Sequence, residues 1–495
     1  MILKCFHLCV LVIALSYSVE SASILALFSS LSFSDHLIFR GYVSRLVQSG
    51  HSVVLMTPYP GRFSYPDIEK IVELDVGQES GPFWDEYKKL MTNVDDYQTR
   101  LRAIDEFNVK LAIAQLKSKQ LTALFINPNI KFDLVVTEAD VPLLYAVADK
   151  YQAPHIAITT SSGKLHQYQA KGNPDHPVLY PDVNALNYRD LSIMQRLSEV
   201  KRHLQTKYEY YYNYLPLCEV AAKKILGLQR SLEEVELDID LLLVAANPLL
   251  VGSRPTVPAI VFADRLHVKP GLSLPQNLKE KLDSSSHGAI YFSIGALQES
   301  EDLSPVILQT LADAFGELPY TVLWKLGNST VVNIPKNVIA QPWFPQQEVL
   351  AHPNIKAFIT HGGPRSLEEA IFYEVPIIGL PITRGWGDTG SLLFGERITE
   401  TNHNSVVVDP IVAGPENAVW WTNYVIHNKG ARHLRSPGAG FTFSQYYLLD
   451  TLFIFLVGIL IFLGLFYVIL RCAYRRLRAK FFGRNVDLGG KYKAL

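Results

Sequence analysis

From residue 23 onward the chain alternates short apolar runs with stretches of helical periodicity. "SILALF" (23–28) and "HSVVLMT" (51–57) have the length and β-branched content of strands. Between them, 36–49 carries a helical repeat that ends at Gly50, where a helix C-terminal glycine is expected. "FDLVVTEA" (132–139) and "HIAITT" (155–160) read as further strands around an apolar helical stretch, 142–150. Polar, tyrosine-rich helices fill 190–235, ahead of the strand "DLLLVAANP". A proline-rich region, 248–275, reads as a linker. Beyond it the alternation restarts with "AIYFSIG" (289–295), a helix over 303–316 and "YTVLWKLG" (320–327). "NVIAQPWF", "IKAFITHGG" and "VPIIGLP" follow. Two successive βα series predict an α/β fold of two doubly wound parallel sheets, with ligands beyond the carboxyl ends of the strands. No internal repeat or low-complexity tract interrupts them.

The two ends break this pattern. Residues 1–22 place Lys4 before an apolar run, Cys5–Leu15, and a small-residue stretch at Ser21-Ala22-Ser23, which is the grammar of a signal peptide. "LFIFLVGILIFLGLFYVIL" (452–470) carries no charge, is long enough to cross a bilayer, and is followed by Arg471, Arg475, Arg476, Arg478 and Lys480. That basic flank predicts a single pass with a cytosolic tail and a lumenal body. A net charge of -1 and the absence of a basic aromatic stripe argue against nucleic acid as a partner. Cys5 and Cys9 fall in the signal and Cys472 at the membrane edge, so Cys218 alone is lumenal and the body must stand on its core. Asn328-Ser329-Thr330 is a glycosylation sequon. Lys491 and Lys493 near the end fit either a retrieval signal for the endoplasmic reticulum or a short solvated basic tail.

The chemistry concentrates in "FITHGGPRSLEEA" (358–370), where a strand ends, two glycines allow close backbone approach, and a helix begins at about Ser366. Free amides at a helix start beside an imidazole suit a diphosphate. Ser366 and Glu369 alternatively form a capping box that any helix could use. The block "QPWFPQQEVLAHPNIKAFITHGG…EEAIFYEVPIIGLP", with "YFSIG" and "AVWWTNYVIHNKGARHLRS", resembles the membrane-bound UDP-glycosyltransferases and UDP-glucuronosyltransferases of animals, of the insect type. The resemblance covers nearly the whole chain. It implies a GT-B fold with an acceptor-binding domain over 23–247, the linker 248–275, and a UDP-sugar-binding domain with its returning helix over 276–447. The membrane helix, 448–470, and a basic tail, 471–495, complete the arrangement. It further implies that Trp343 stacks on uracil and Gln346 binds near the nucleoside. His361, Ser366 and the backbone of Gly363 hold the diphosphate, and Glu369 takes the ribose hydroxyls. The implied donor is a UDP-sugar, the acceptor a small lipophilic hydroxyl compound, and the location the endoplasmic reticulum membrane, with homo- or hetero-oligomers of related transferases as further partners. No cofactor is implied.

The same resemblance exposes departures. Family members deprotonate the acceptor with a histidine sixteen residues before the "GH" histidine, here His51, and that position is Asp35; His36 follows it. The supporting acid falls at Glu138. The sugar-gripping "DQ" pair aligns with Gly385 and Trp386, the glycine of "GVP" is Glu374, and the serine after "FSxG" is Ala296. The segment from Gly385 to about Pro415 is roughly 25 residues short of the family spacing. An ordinary aspartate, with a pKa of about 3.9, is a weak base at neutral pH. His36 points about 100° away around a helix. Two expectations therefore stand side by side: an inverting hexosyltransferase, or a catalytically impaired family member that binds nucleotide or partners at the membrane. "GWGDTG" (385–390) imitates a dinucleotide loop too late in its domain to be one. Asp238-Ile239-Asp240 imitates a metal-binding D-x-D but leads into an apolar strand, which predicts a solvated strand edge. No metal site is expected.

Overall fold

The computed structural model describes residues 21–62, 67–92, 97–180, 191–248, 254–269, 273–295, 304–327, 333–380 and 414–482. Outside these lie most of the signal region, the sequon, Ala296, the Gly385–Trp386 positions with the glycine-rich decoy, and the terminal lysines.

Seven parallel strands form the first sheet: β1 (Ser23–Leu27), β2 (Ser52–Thr57), β3 (Ile71–Asp75), β4 (Leu134–Glu138), β5 (His155–Thr159), β6 (Leu241–Val244) and β7 (Ile260–Phe262). Their spatial order is β3-β2-β1-β4-β5-β6-β7. The second sheet, also parallel, comprises β8 (Ala289–Ser293), β9 (Thr321–Lys325), β10 (Val338–Gln341), β11 (Ile355–Thr360) and β12 (Ile377–Gly379) in the order β10-β9-β8-β11-β12. Helices cover both faces, which is why β4, β5 and β8 are buried at every position and read as unbroken apolar runs. Each sheet reverses its winding once, between β1 and β4 and between β8 and β11. The loops that leave those four strands converge on the crevices where doubly wound folds bind ligands.

Two boundaries differ from the sequence expectation. The expected linker contains β7, which pairs with β6 and completes the first sheet. This strand of three residues is too short to stand out among prolines. The chain then crosses the helix Phe33–Gln48 so closely that a Cβ on Gly41 would meet the Leu266 carbonyl oxygen at 1.8 Å. Arg45 ties the crossing by donating from Nη1 to the carbonyls of Gly41 (2.9 Å) and Leu266 (2.8 Å).

The helix Gly414–Asn428, assigned by sequence to the second domain, packs on the first. Ala418, Val425 and Ala431 join the core that holds Ile24, Phe39 and Val43. The Tyr42 hydroxyl lies 2.7 Å from Thr422 Oγ1, and His51 Nε2 lies 2.7 Å from Asn423 Oδ1.

A separate unit, Gly440–Leu495, contains the helix Leu449–Phe482. Its Leu449–Lys480 stretch contains an 18-residue window with a mean hydropathy of 3.0 and is the one candidate membrane span among the described residues. The expected break at 470 is a change of composition only: the helix continues through Arg471–Lys480 because arginine, lysine, leucine and alanine all favour it.

Candidate functional site

A cleft of about 820 Å³ opens between the two sheets. One wall is the face of Phe33–Gln48 that carries Phe33, Leu37, Arg40 and Ser44; the other is built from the loops after β8, β10 and β11.

On the second wall, the helix Pro364–Phe372 starts one turn earlier, relative to Ser366, than a capping box requires. Gly363 is its N-cap and Pro364 its first residue, a position where the missing N–H of proline costs nothing. Ser366 therefore sits inside the first turn and does not cap, and the Glu369 carboxylate is engaged by side chains from outside the helix. Glu369 is buried and accepts from Gln346 Nε2 (2.6 Å, Oε2) and Gln347 Nε2 (3.0 Å, Oε1), with His267 Nε2 3.4 Å away. Gln346 Nε2 also reaches Ser366 Oγ at 3.2 Å. Four of the expected binding residues (Gln346, Gly363, Ser366 and Glu369) thus meet at one helix start, whose free amides and positive dipole end favour an anion.

His361 completes the set. A Cβ on Gly295 would lie 2.6 Å from its Cε1 and one on Gly363 2.8 Å from its Nε2, so glycine at both positions is what admits the ring. Gly295 also holds φ +104, which only glycine adopts readily. Burial first, then the nearby Lys325 ammonium, pushes the imidazole down to about 4, so it is neutral at physiological pH. Its Nδ1 is buried without a hydrogen-bond partner, a polar atom poised for a ligand. Lys325 donates to the Gly295 carbonyl at 2.6 Å and lies 4.8 Å from the Trp343 ring centroid. Trp343 is 56% exposed at the cleft mouth, edge-on to Phe33.

The catalytic candidates occupy the loops after β1 and β4. Asp35 lies in the first turn of Phe33–Gln48, its N–H on the N-cap Ser32 Oγ (3.3 Å) and its Oδ2 accepting from Ser30 Oγ (3.3 Å). Burial raises its pKa; the Arg365 guanidinium and hydrogen bonds from Thr160 and Ser32 oppose the rise. His36 goes elsewhere. It is 2% exposed, with Nε2 2.7 Å from the Ser30 carbonyl oxygen and its ring edge-on to Phe39 and Tyr59. Burial holds it down at about 4, which makes it a neutral core histidine, in keeping with its turn away from Asp35 around the helix.

Glu138 is buried, and its Oε2 accepts the backbone N–H groups of both Ser29 and Ser30 at 2.9 Å. It braces the loop that carries Asp35. Burial, then the charges of Asp140 and Asp35, push its carboxyl up to about 8, against the two backbone hydrogen bonds. The folded protein thus holds a proton that the unfolded chain, with its ordinary value of 4.5, releases. The sign follows: the contribution to stability is complete below the unfolded value and is lost as pH rises through about 8. Glu138→Gln keeps an acceptor for both amides and removes the ionisation. Its melting temperature is expected to gain on the wild type steadily from pH 5 to pH 8, read by thermal unfolding at a series of pH values; a constant difference contradicts this account.

Sequence reasoning missed Gln347, His267, Lys325 and Arg365. Arg365 immediately precedes Ser366, yet its role depends on tertiary contacts. Its Nη1 donates to the Ala245 carbonyl in the first domain (3.1 Å) and lies 3.6 Å from Glu368 Oε2. The D-x-D decoy is not the solvated edge expected. Asp240 is buried, accepting from the His155 and Ala431 amides, and Asp238 pairs with Arg230 and Arg432.

A family model described as "UDP-glucoronosyl and UDP-glucosyl transferase" matches residues 24–388 and 402–484. An ecdysteroid UDP-glucosyltransferase of Spodoptera littoralis nuclear polyhedrosis virus is 28% identical, over 91% of this chain and 97% of that protein. UDP-glucosyltransferase 2 of Dactylopius coccus is 28% identical, over 88% and 90%. The human 2-hydroxyacylsphingosine 1-beta-galactosyltransferase is 26% identical, over 93% and 92%.

Proposed function

The chain belongs to the UDP-glucoronosyl and UDP-glucosyl transferase family, and from that premise we propose that it moves a hexose from a UDP-sugar to a hydroxyl of a small lipophilic acceptor, with inversion at the anomeric carbon. The observation that carries this reading is the convergence of Gln346, Ser366 and Glu369 on the open start of the Pro364–Phe372 helix, beside the unpartnered Nδ1 of His361. In the proposed complex the diphosphate sits on the free amides at that helix start, with neutral His361 and the Lys325 ammonium alongside. Trp343 flanks the uracil, and the Glu369 carboxylate accepts from the ribose hydroxyls, hydrogen bonds that favour its ionised form.

In the reaction, the acceptor hydroxyl gives its proton to Asp35 while its oxygen attacks the anomeric carbon. The bond from that carbon to the diphosphate oxygen breaks, and UDP leaves with the electron pair. The helix start and Lys325 stabilise the charge that develops on the leaving oxygen. Burial makes Asp35 a stronger base than an exposed aspartate, and Glu138 holds its loop in place without touching substrate. No cofactor or metal enters this scheme. The location we propose is the endoplasmic reticulum membrane; the apolar helix followed by arginines supports a single pass with a lumenal body and a short cytosolic tail.

The test is calorimetric titration with UDP, followed by turnover assays with UDP-glucose, UDP-glucuronate and UDP-galactose against phenols and steroids. Binding of UDP and turnover with at least one donor are expected. Binding without turnover for any donor would sink the transferase reading and leave an impaired binding subunit.

A further inference from the structure

The segment that follows β7 carries His267 into the wall of the donor cleft, where its ring is 0% exposed and neither Nδ1 nor Nε2 makes a hydrogen bond. Two neighbouring glutamates of the helix Pro364–Phe372 flank the ring. Nε2 stands 3.4 Å from Glu369 Oε1, and Nδ1 stands 3.8 Å from Glu368 Oε2. That Glu368 oxygen is also buried without a hydrogen bond, although Arg365 Nη1 lies 3.6 Å away. Three orphaned polar atoms in one buried spot are costly, since each has given up water without a replacement. The backbone, not the ring, fixes this placement. The His267 carbonyl accepts from Gln347 Nε2 (3.1 Å), the Lys269 amide donates to Gln347 Oε1 (2.9 Å), and the Tyr373 hydroxyl donates to the Lys269 carbonyl (2.8 Å). The charges that face the ring are Glu368, Glu369 and Arg365 on the helix and Arg45 on Phe33–Gln48. Burial first, then the Arg365 and Arg45 charges, against a backbone contact with Arg365, push the imidazole down to about 3. It is therefore neutral, with a single N–H to give.

We propose that His267 is the positioning residue behind Glu369: Glu368, the imidazole and Glu369 close into one hydrogen-bonded chain that aims the carboxylate at the ribose hydroxyls. This role rests on Glu369 meeting the ribose, as proposed above. The gaps of 3.4 and 3.8 Å exceed hydrogen-bond length, and a shift of under about 1 Å closes both. In the closed chain Nε2–H donates to Glu369 Oε1 and the carboxyl of Glu368 donates to Nδ1, so all three orphaned atoms gain a partner. Burial first, against the Arg365 charge, pushes the Glu368 carboxyl up to about 7, so it keeps a proton at neutral pH far more readily than an exposed acid. Gln347 already donates to Oε1 at 3.0 Å. With His267 beside it, both lone pairs of that oxygen are taken, and the ribose is met by Oε2. A donor on the ionised carboxylate also favours ionisation, the state that accepts from a hydroxyl.

The experiment measures binding of UDP and 2′-deoxy-UDP by calorimetry on the full chain in detergent micelles. His267→Asn keeps a polar group toward Glu368 but is too short to reach Glu369, and His267→Phe removes both nitrogens. In each, the wild-type preference for UDP is expected to fall by about 3–10-fold, a part of the worth of one charge-assisted hydrogen bond. His267→Gln, whose amide N–H reaches nearly as far as Nε2, is expected to restore it. Glu368→Leu leaves the histidine in place and takes away the far end of the chain. It should lower the preference too, which keeps the test open if a histidine variant does not fold. Equal weakening of both ligands, without rescue by glutamine, marks a packing role and overturns the proposal. So does a preference that Glu369→Ala abolishes while the His267 and Glu368 variants keep it, an outcome that leaves the ribose reading standing. A wild type indifferent to the 2′-hydroxyl overturns both.

Discussion

Asp35→Asn is expected to lower kcat by ~10²–10⁴-fold, the usual contribution of a positioned base, while leaving UDP affinity unchanged. Asparagine has nearly the same shape, keeps an oxygen to accept from Ser30 Oγ, and leaves the Ser32 cap on the backbone intact. What it lacks is the capacity to take the acceptor proton. The pH profile separates this from a structural effect. Wild-type activity should rise with pH along an acid limb set by Asp35, above the ordinary carboxylate range because burial disfavours the charged form. Arg365→Leu removes a positive charge that holds that pKa down, so its acid limb should move to higher pH still. In Asp35→Asn the limb disappears. Full turnover in Asp35→Asn, with the acid limb lost instead in His36→Asn, would put the base on the wrong residue.

The second large effect concerns the nucleotide. Glu369→Ala is expected to weaken UDP binding by about 10–100-fold, since hydrogen bonds to a charged group are worth about 1.5–3 kcal/mol and each 1.4 kcal/mol is tenfold. The fold should survive: burial already pushes the Glu369 carboxyl up to about 7, so its removal relieves a desolvated charge. The sharper readout is the ligand lacking one ribose hydroxyl. Wild-type protein should prefer UDP to 2′-deoxy-UDP, and Glu369→Ala should bind the two alike, the coupling that a direct contact demands. A preference undiminished in the variant would mean that the carboxylate serves only Gln346 and Gln347.

How much of this was legible in the sequence depended on whether a feature was local. Most strands were readable, and β4, β5, β6 and β8 most clearly, because helices bury both of their faces and leave continuous apolar runs, whereas β7 was lost among prolines. β3 escaped notice: at the sheet edge "IVELD" is only partly buried, so its composition is mixed. The helices Trp84–Thr92 and Tyr97–Leu116 lay in a region of weak apolar pattern. At the donor site, spacing could offer a capping box for Ser366 and Glu369, but Pro364 sets the helix start and Gln346, far upstream, claims the carboxylate. Neither competitor has a local signature. Asp35 and His36 show the same limit. Their order along the chain says which is nearer the family's address, while burial against Phe39 and Tyr59 takes His36 out of contention.

The helix Gly414–Asn428 has a consequence for how the protein is made. Residues separated by 380 positions, Tyr42 and Thr422, share a hydrogen bond inside the first domain's core, and the Ala259 amide is held by the carbonyl of Leu434. The amino-terminal sheet can pair its strands early in synthesis, but one of its helical layers is delivered only when translation has nearly reached the apolar helix. Until then Val43 and its neighbours wait with an uncovered flank. The amino-terminal half therefore keeps part of its core uncovered through most of elongation, until the residues just before the apolar helix have been made.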